Sequence, residues 1–226
     1  MQDIIIAIDG YSGCGKSSTA KEVARALHYT YLDSGAMYRA ATLFFIRHQV
    51  NLHEKSSVLD ALDKINIQFH RSEDGTFNET YLNGENVERE IRKMEVSERV
   101  SEVSAIPEVR NKMVEQQRKL GASKKVVMDG RDIGSQVFPH ADLKIFMTAD
   151  LKVRALRRKE ELEEKGTSVT LDEIMLNLSE RDRIDSQRQQ SPLVKVEDAV
   201  EIDTTNIDFS DQVRQVLSLA KKHIDV

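Results

Sequence analysis

Short apolar runs alternate along this chain with stretches in which apolar residues return every third or fourth position. Asp3 to Asp9 brackets a run of Ile and Ala of strand length, and Ala20, Val23, Ala24 and Leu27 follow at helical spacing. Thr30 to Leu32 reads as a second short strand, leading into a helix through Thr42, Leu43 and Ile46. Lys124 to Met128, Leu143 to Met147 and Ala199 to Ile202 supply three more strands. Val213, Val216, Leu217 and Ala220 form the apolar face of a terminal helix. Five strands alternating with helices predict a parallel sheet with right-handed crossovers.

Two stretches break that rhythm. After a predicted helix over Leu52 to Leu62, Ile65 to Phe69 alternates with period two and Asp74-Gly75 signals a hairpin. Thr80 to Leu82 resumes a strand, and Asn83-Gly84 signals a second tight turn. This spells a small antiparallel insert. Val87 to Val103 then reads as a charged helix containing Arg89, Arg92 and Arg99, and Pro107 opens another with Arg110 in its first turn. The second break is a helical hairpin. Residues 151 to 165 carry Arg154, Arg157 and Arg158 and stop at Gly166; Leu171 to Gln187 follows, capped by Ser168 or Thr170, and Pro192 ends the segment. Its nine basic and nine acidic residues between Leu151 and Gln190 balance, so it is no generic basic stripe.

The chemistry enters at Gly10 to Ser18. Gly10, Gly15, Lys16 and Ser17 fill the fixed positions of G-x-x-x-x-G-K-[ST] between a strand and a helix, a setting that cradles polyphosphate on backbone N–H groups. The expected ATP-binding loop is Gly10, Tyr11, Ser12, Gly13, Cys14, Gly15, Lys16, Ser17 and Ser18, with Lys16 on the phosphates and Ser17 on magnesium. The paired hydroxyls of Ser17 and Ser18 leave open which of them meets the metal. Asp33-Ser34 and Asp129-Gly130-Arg131-Asp132 end two other strands, where ligands gather in open α/β sheets. Asp129 sits where a carboxylate orients the hydration shell of magnesium. Arg39 is either a second phosphate contact or a solvated helix charge. The fold class that follows is α/β, a phosphate-loop three-layer sandwich with a five-stranded parallel sheet, an antiparallel β insert and an arginine-bearing helical lid. Its expected boundaries are core 1–35, 88–150 and 190–226, insert 36–87 and lid 151–189.

Composition narrows the classes. The chain of 226 residues is 39% hydrophobic and 31% charged, ordinary for a soluble globular protein, and has no apolar run of membrane-spanning length. Met1 leads straight into the first strand with no basic leader, and the single cysteine, Cys14, forms no internal disulfide; the expectation is a cytoplasmic protein. Cys14 reads either as a reactive loop thiol or as a small residue at a variable motif position. The net charge of −5 argues against general nucleic-acid binding. Aromatic content of 5% offers no interface patch, so a monomer is expected. A regulatory GTPase requires D-x-x-G and N-K-x-D; no Asp stands three before any Gly, and Asn111-Lys112 is followed by Met113-Val114. A nucleic-acid motor calls for a larger chain and a basic track. A small-molecule phosphotransferase remains, and it accounts for both inserts.

Four ordered segments carry a resemblance: Gly10 to Ser18, Asp33-Ser34-Gly35-Ala36-Met37-Tyr38-Arg39, Asp129-Gly130-Arg131-Asp132-Ile133-Gly134, and Glu180 to Asp185 with Arg188 and Pro192-Leu193. Together they resemble the bacterial cytidylate kinases, nucleoside monophosphate kinases of pyrimidine metabolism, over essentially the whole chain. The resemblance implies magnesium-dependent phosphoryl transfer from ATP to CMP or dCMP; a kinase of UMP or AMP is the alternative, and a nucleotide-binding switch a more distant one. It implies that Ser101, Arg110 and Asp132 read cytosine and that Arg181 and Asp185 meet the ribose. Arg39, Arg131 and Arg188 would clamp the monophosphate, and Ser34 and Arg92 would line the substrate pocket. Lys16, Arg131 and the lid residues Arg157 and Arg158 would meet the charge that develops during transfer. Tyr11 departs from the smaller residue usual at its position.

Overall fold

The computed structural model describes residues 2–72, 78–164, 166 and 168–224. In chain order the elements are β1 (Ile5–Gly10), α1 (Lys16–Leu27), β2 (Thr30–Asp33), α2 (Ser34–Arg47), α3 (Lys55–Leu62), β3 (Ile67–Arg71), β4 (Asn78–Leu82) and β5 (Glu85–Asn86). They continue with α4 (Met94–Ala105), α5 (Pro107–Leu120), β6 (Val126–Gly130), β7 (Leu143–Thr148), α6 (Leu151–Glu164), α7 (Leu171–Gln187), β8 (Val200–Asp203) and α8 (Phe209–Ile224). The chain divides into two compact units, Met1–Thr30 with Lys124–Val226, and Tyr31–Ser123. The five-stranded sheet runs β2-β6-β1-β7-β8, and a three-stranded sheet runs β3-β4-β5.

In the first unit β1 pairs in parallel with β6 and β7, and β7 with β8. The inner strands are buried along nearly their whole length, which is why they read as continuous apolar runs rather than as an alternation. α1 buries Ala20, Val23 and Ala24 and packs against β6 and α8, whose own buried face is Gln212, Val216, Ala220 and Ile224. The strand expected from Lys124 starts at Val126, because Lys124 and Lys125 take φ of 56° and 53°, outside any strand conformation. Instead the Lys125 carbonyl accepts from the Thr30 N–H at 2.8 Å, turning the chain into the sheet.

The helical hairpin belongs to this unit. α6 and α7 close on each other around Ala155, Leu162, Ile174 and Leu178. Thr170, of the two cap candidates, makes a capping box: its hydroxyl accepts from the Glu173 N–H at 3.3 Å, and the Glu173 carboxylate accepts from the Thr170 N–H at 3.0 Å. Such a cap contributes about 1 kcal/mol.

The second unit has its own core, in which Met37, Leu43, Phe44 and Phe45 of α2 meet Val58 and Leu62 of α3, Val100 and Val103 of α4, and Val109 and Met113 of α5. β3 and β4 are antiparallel in the register Ile67 to Leu82, and β4 pairs with β5. Asn83 and Gly84 join them with φ of 51° and 85°, the double left-handed signature of a tight hairpin turn. Asn83 also accepts from the Asn66 N–H at 2.7 Å and donates to the Lys64 carbonyl at 2.9 Å. The Asp74-Gly75 hairpin signal lies outside the described residues. The helix expected from Val87 to Val103 is instead a 3-10 turn at Glu90–Arg92 followed by α4, with Lys93 extended between them. That break buries Ile91 completely and turns Arg92 toward Asp33. The helix expected from Leu52 begins at Lys55, since Asn51 caps its own turn by accepting from the His53 N–H.

Candidate active site

β1 delivers the chain to the phosphate loop at Gly10, where a Cβ would lie 1.9 Å from the Met147 carbonyl oxygen. Only glycine allows β7 to run this close. Gly15, with φ of 92°, turns the loop into α1. Lys16 folds back within the loop, its Nζ donating to the Tyr11 carbonyl at 2.5 Å and lying 3.6 Å from Cys14 Sγ, which itself donates to the Tyr11 carbonyl. Burial, with Arg131 adding like-charge repulsion, lowers the Lys16 pKa.

Ser17 Oγ donates to Asp129 Oδ2 at 2.8 Å, joining the loop to the end of β6. These oxygen donors suit magnesium, which binds through one or two protein oxygens plus phosphates and water rather than in an all-protein cage. No cluster of three or more His, Cys, Asp or Glu side chains that could form such a cage occurs among the described residues.

After Asp129 the chain turns through Gly130-Arg131-Asp132 into a π-helical turn at Ile133–Val137. Arg131 donates through Nη2 to Ser12 Oγ at 2.6 Å and through Nε to Asp185 Oδ2 at 2.7 Å. Burial alone would lower the Arg131 pKa, but Asp185 outweighs it and the net shift is upward. Burial would likewise raise the Asp185 carboxyl, and Arg131 and Arg188 together hold it below the usual carboxylate range. Arg188, just past α7, lies 3.6 Å from Asp185 Oδ1 and 3.7 Å from Asp132 Oδ1, and its Nε donates to the Ser191 carbonyl. Arg181 Nε is buried with no hydrogen-bond partner, and burial followed by Arg131 pulls its pKa down to about 10. Four sequence-predicted residues of this unit, Arg131, Asp132, Asp185 and Arg188, are thus linked by ion pairs and open onto the phosphate loop through Ser12.

The lid arginines divide differently from expectation. Arg154 is the one buried against the loop: its Nη1 donates to the Ser12 carbonyl at 3.0 Å and to Asp182 Oδ2 at 2.6 Å, and its guanidinium lies 5.3 Å from the Tyr11 ring centre. Asp182 Oδ1 accepts in turn from the Ser12 N–H at 3.4 Å. Tyr11, the bulky departure in the loop, is held between Arg154 and the edge of Phe146. Arg157 donates to the hydroxyl and carbonyl of Thr204, and Thr204 Oγ1 donates to the Cys14 carbonyl at 3.0 Å. Arg158 pairs with Glu161 at 2.6 Å.

Asp9 also escaped the sequence reading. Its carboxylate accepts from the Ile133 N–H at 2.8 Å and the Gly134 N–H at 2.7 Å. Burial raises its pKa to about 6, against the lowering effect of those two N–H groups.

In the second unit Asp33 caps α2 by accepting from the Ala36 N–H and pairs with Arg92 at 2.8 Å, beside the buried Ser34. Burial would raise the Asp33 carboxyl; Arg92 overrides it and the net shift is downward. Arg92 also binds Glu88, and Arg39 donates to the Ile91 carbonyl and to Ser97 Oγ at 2.8 Å. Ser101 is buried on α4, where its carbonyl accepts from Ser104 Oγ. Arg110 is only 1% exposed; it donates to the Ser104 carbonyl at 3.0 Å and lies 5.2 Å from the Tyr38 ring centre. Ser104 and Tyr38 were not singled out in the sequence, although Tyr38 belongs to the motif that ends in Arg39.

A model of the cytidylate kinase family matches residues 6–222. The chain belongs to the cytidylate kinase family. It is 55% identical over 220 residues to a cytidylate kinase of Cytophaga hutchinsonii, covering 97% of this chain and 94% of that protein. The cytidylate kinase of Flavobacterium johnsoniae is 47% identical over 229 residues, covering all of both chains, and that of Porphyromonas gingivalis 50% identical over 216 residues, covering 92% of each. The loop, the D-G-R-D turn and the arginines of α7 follow one another in this order along the chain, and no described helix is long and apolar enough to cross a membrane.

Proposed function

We propose that this chain catalyses ATP-dependent phosphorylation of CMP and dCMP to CDP and dCDP as a cytoplasmic monomer. The observation that carries the reading is the link from the phosphate loop to a second set of cations: Ser12 of the loop is bonded to Arg131, and Arg131 leads through Asp185 to Arg188. Whole-length kinship with cytidylate kinases supports the choice of nucleotide.

ATP phosphates take the backbone N–H groups of Gly13 to Ser18, with Lys16 moving from the Tyr11 carbonyl to a phosphate oxygen. Arg131 and Arg188 hold the acceptor monophosphate, Arg181 and Asp185 meet its ribose while Asp185 also orients the two clamp arginines, and Asp132 accepts from the cytosine amine. Ser101 and Arg110 take the remaining polar edge of the base, and Ser34, Arg39 and Arg92 serve the substrate pocket. Ser17 and Asp129 would hold magnesium, which when bound would supply positive charge against the donor phosphates. Arg154 anchors the lid to the loop, while Arg157 and Arg158 supply cationic charge behind it. No general base is needed, because a monophosphate oxygen is already nucleophilic at neutral pH, and the side chains act by alignment and charge.

The test is ADP release measured with CMP, dCMP, UMP and AMP as acceptors. CMP and dCMP are expected to have the highest kcat/KM, and AMP or UMP turning over best would overturn the assignment.

A further inference from the structure

The buried carboxylate of Asp9 lies outside every role given above. It is 6% exposed at the end of β1, one residue before the phosphate loop, in register with Gly130 of β6 and Phe146 of β7. Ionised groups are rarely left in such a place without a task. Both of its oxygens are committed, one to the N–H of Ile133 and the other to that of Gly134, the two residues after Asp132. The Asp132 carbonyl on the other side accepts from the N–H groups of Gln136 and Val137, closing the π-helical turn. The peptide planes after Asp132 are therefore fixed from β1, and Asp132 itself sits at φ −145° and ψ 26°, belonging to neither strand nor helix. The turn lies close on the Asp9 carboxylate: a Cβ at Gly134 would touch Asp9 Oδ2 at 3.4 Å, an ordinary contact.

We propose that Asp9 is the positioning residue that aims the Asp132 carboxylate at the nucleobase, so that base discrimination is set from the strand that carries the phosphate loop. This rests on the reading of Asp132 as the acceptor for the cytosine amine. Asp9 touches neither nucleotide. It acts by holding two N–H groups, as an outer partner holds a ligating side chain. Asn keeps the shape but presents an NH2 to one of them, so the turn must rotate or leave a buried donor unmatched.

The experiment compares kcat/KM for CMP and UMP in the parent chain, Asp9→Asn, Asp132→Asn and the double variant, with KM for ATP measured alongside. Asp9→Asn is expected to narrow the CMP preference roughly tenfold through KM for CMP, the scale of outer-partner effects, with KM for ATP held within about twofold. In the Asp132→Asn background the same change is expected to leave the ratio unmoved, because its effect passes through Asp132. Equal loss toward CMP, UMP and ATP would overturn the proposal in favour of general support of the fold. So would additive effects in the double variant. An unchanged ratio in Asp132→Asn alone would remove the base-reading role and the proposal with it, whereas a ratio changed by Asp132→Asn but not by folded Asp9→Asn would remove only the proposal. Should Asp9→Asn not fold, Asp9→Glu, which keeps the charge but displaces the carboxylate from the N–H groups of Ile133 and Gly134 by one methylene, decides: narrowing is expected, and an unchanged ratio overturns.

Discussion

Ser17 Oγ and Asp129 Oδ2 are 2.8 Å apart, a hydrogen bond joining the first turn of α1 to the end of β6 across 112 positions of sequence. It brings the two oxygens proposed for magnesium together before any ion arrives. Asp129→Asn should therefore raise the magnesium concentration giving half-maximal rate about tenfold while leaving KM for CMP nearly unchanged. Titrating activity with magnesium at saturating nucleotides checks this; an unchanged requirement assigns the pair to structure alone.

Lys16 is a buried cation whose charge is costly in the free protein, as its lowered pKa records. Lys16→Ala should lower kcat by roughly 10²–10³, the loss usual for one group that meets transition-state charge, with no fall in melting temperature. Thermal unfolding beside steady-state kinetics separates the two effects.

Arg154 and Asp182 form a largely buried pair, their side chains 7% and 14% exposed. Removing one partner strands the other, so Asp182→Ala should cost about 3 kcal/mol and lower the melting temperature by roughly 10 °C. Arg154→Met with Asp182→Leu should recover most of that stability, since replacing both charges leaves nothing unmatched. Calorimetry on the single and double variants checks the cycle.

Asp9 predicts a pH dependence of stability with a definite sign. Its folded pKa of about 6 lies above the ordinary 3.8, so the native state holds the proton longer than the unfolded chain. The favourable contribution is complete below pH 4 and is lost as the pH rises through 6. Asp132, Lys16 and the N–H groups of Ile133 and Gly134 are the groups that act on it. Asp33 and Asp185, with lowered pKa values, are ionised in both states above pH 5 and do not contribute in this window. Between pH 5 and 7 the parent chain should lose ~1 kcal/mol relative to Asp9→Asn, read from urea unfolding at both values.

The sheet was legible because its inner strands are buried on both faces and leave unbroken apolar runs, and the loop because its glycines and lysine are spaced by phosphate geometry. The strand start at Val126 was not, because two consecutive left-handed lysines carry no residue-type signal. The turn at Glu90–Arg92 was hidden for a different reason: its break is imposed by Ile91 and the Asp33–Arg92 pair, contacts distant in sequence. Arg154 did leave a trace. It falls on the stripe Leu151, Arg154, Ala155, Arg158, Leu162, the face by which α6 packs on α7, whereas Arg157 lies off that stripe. Asp9 read as a polar strand terminator, and only the parallel pairing of β1 with β6 brings Ile133 and Gly134 within its reach.

Arg110 has a consequence for behaviour in salt. Its guanidinium gave up its hydration when the second unit folded around Tyr38 and Ser104, so the dehydration cost of that charge is already met in the free protein. Mobile ions do not enter such a place, and screening acts on charges that solvent can reach. Of the arginines proposed for the substrate, Arg131, whose side chain is 20% exposed, should lose more of its contribution as ionic strength rises than Arg110, which is 1% exposed. The base-reading role proposed for Arg110 should therefore outlast salt better than the hold proposed for Arg131.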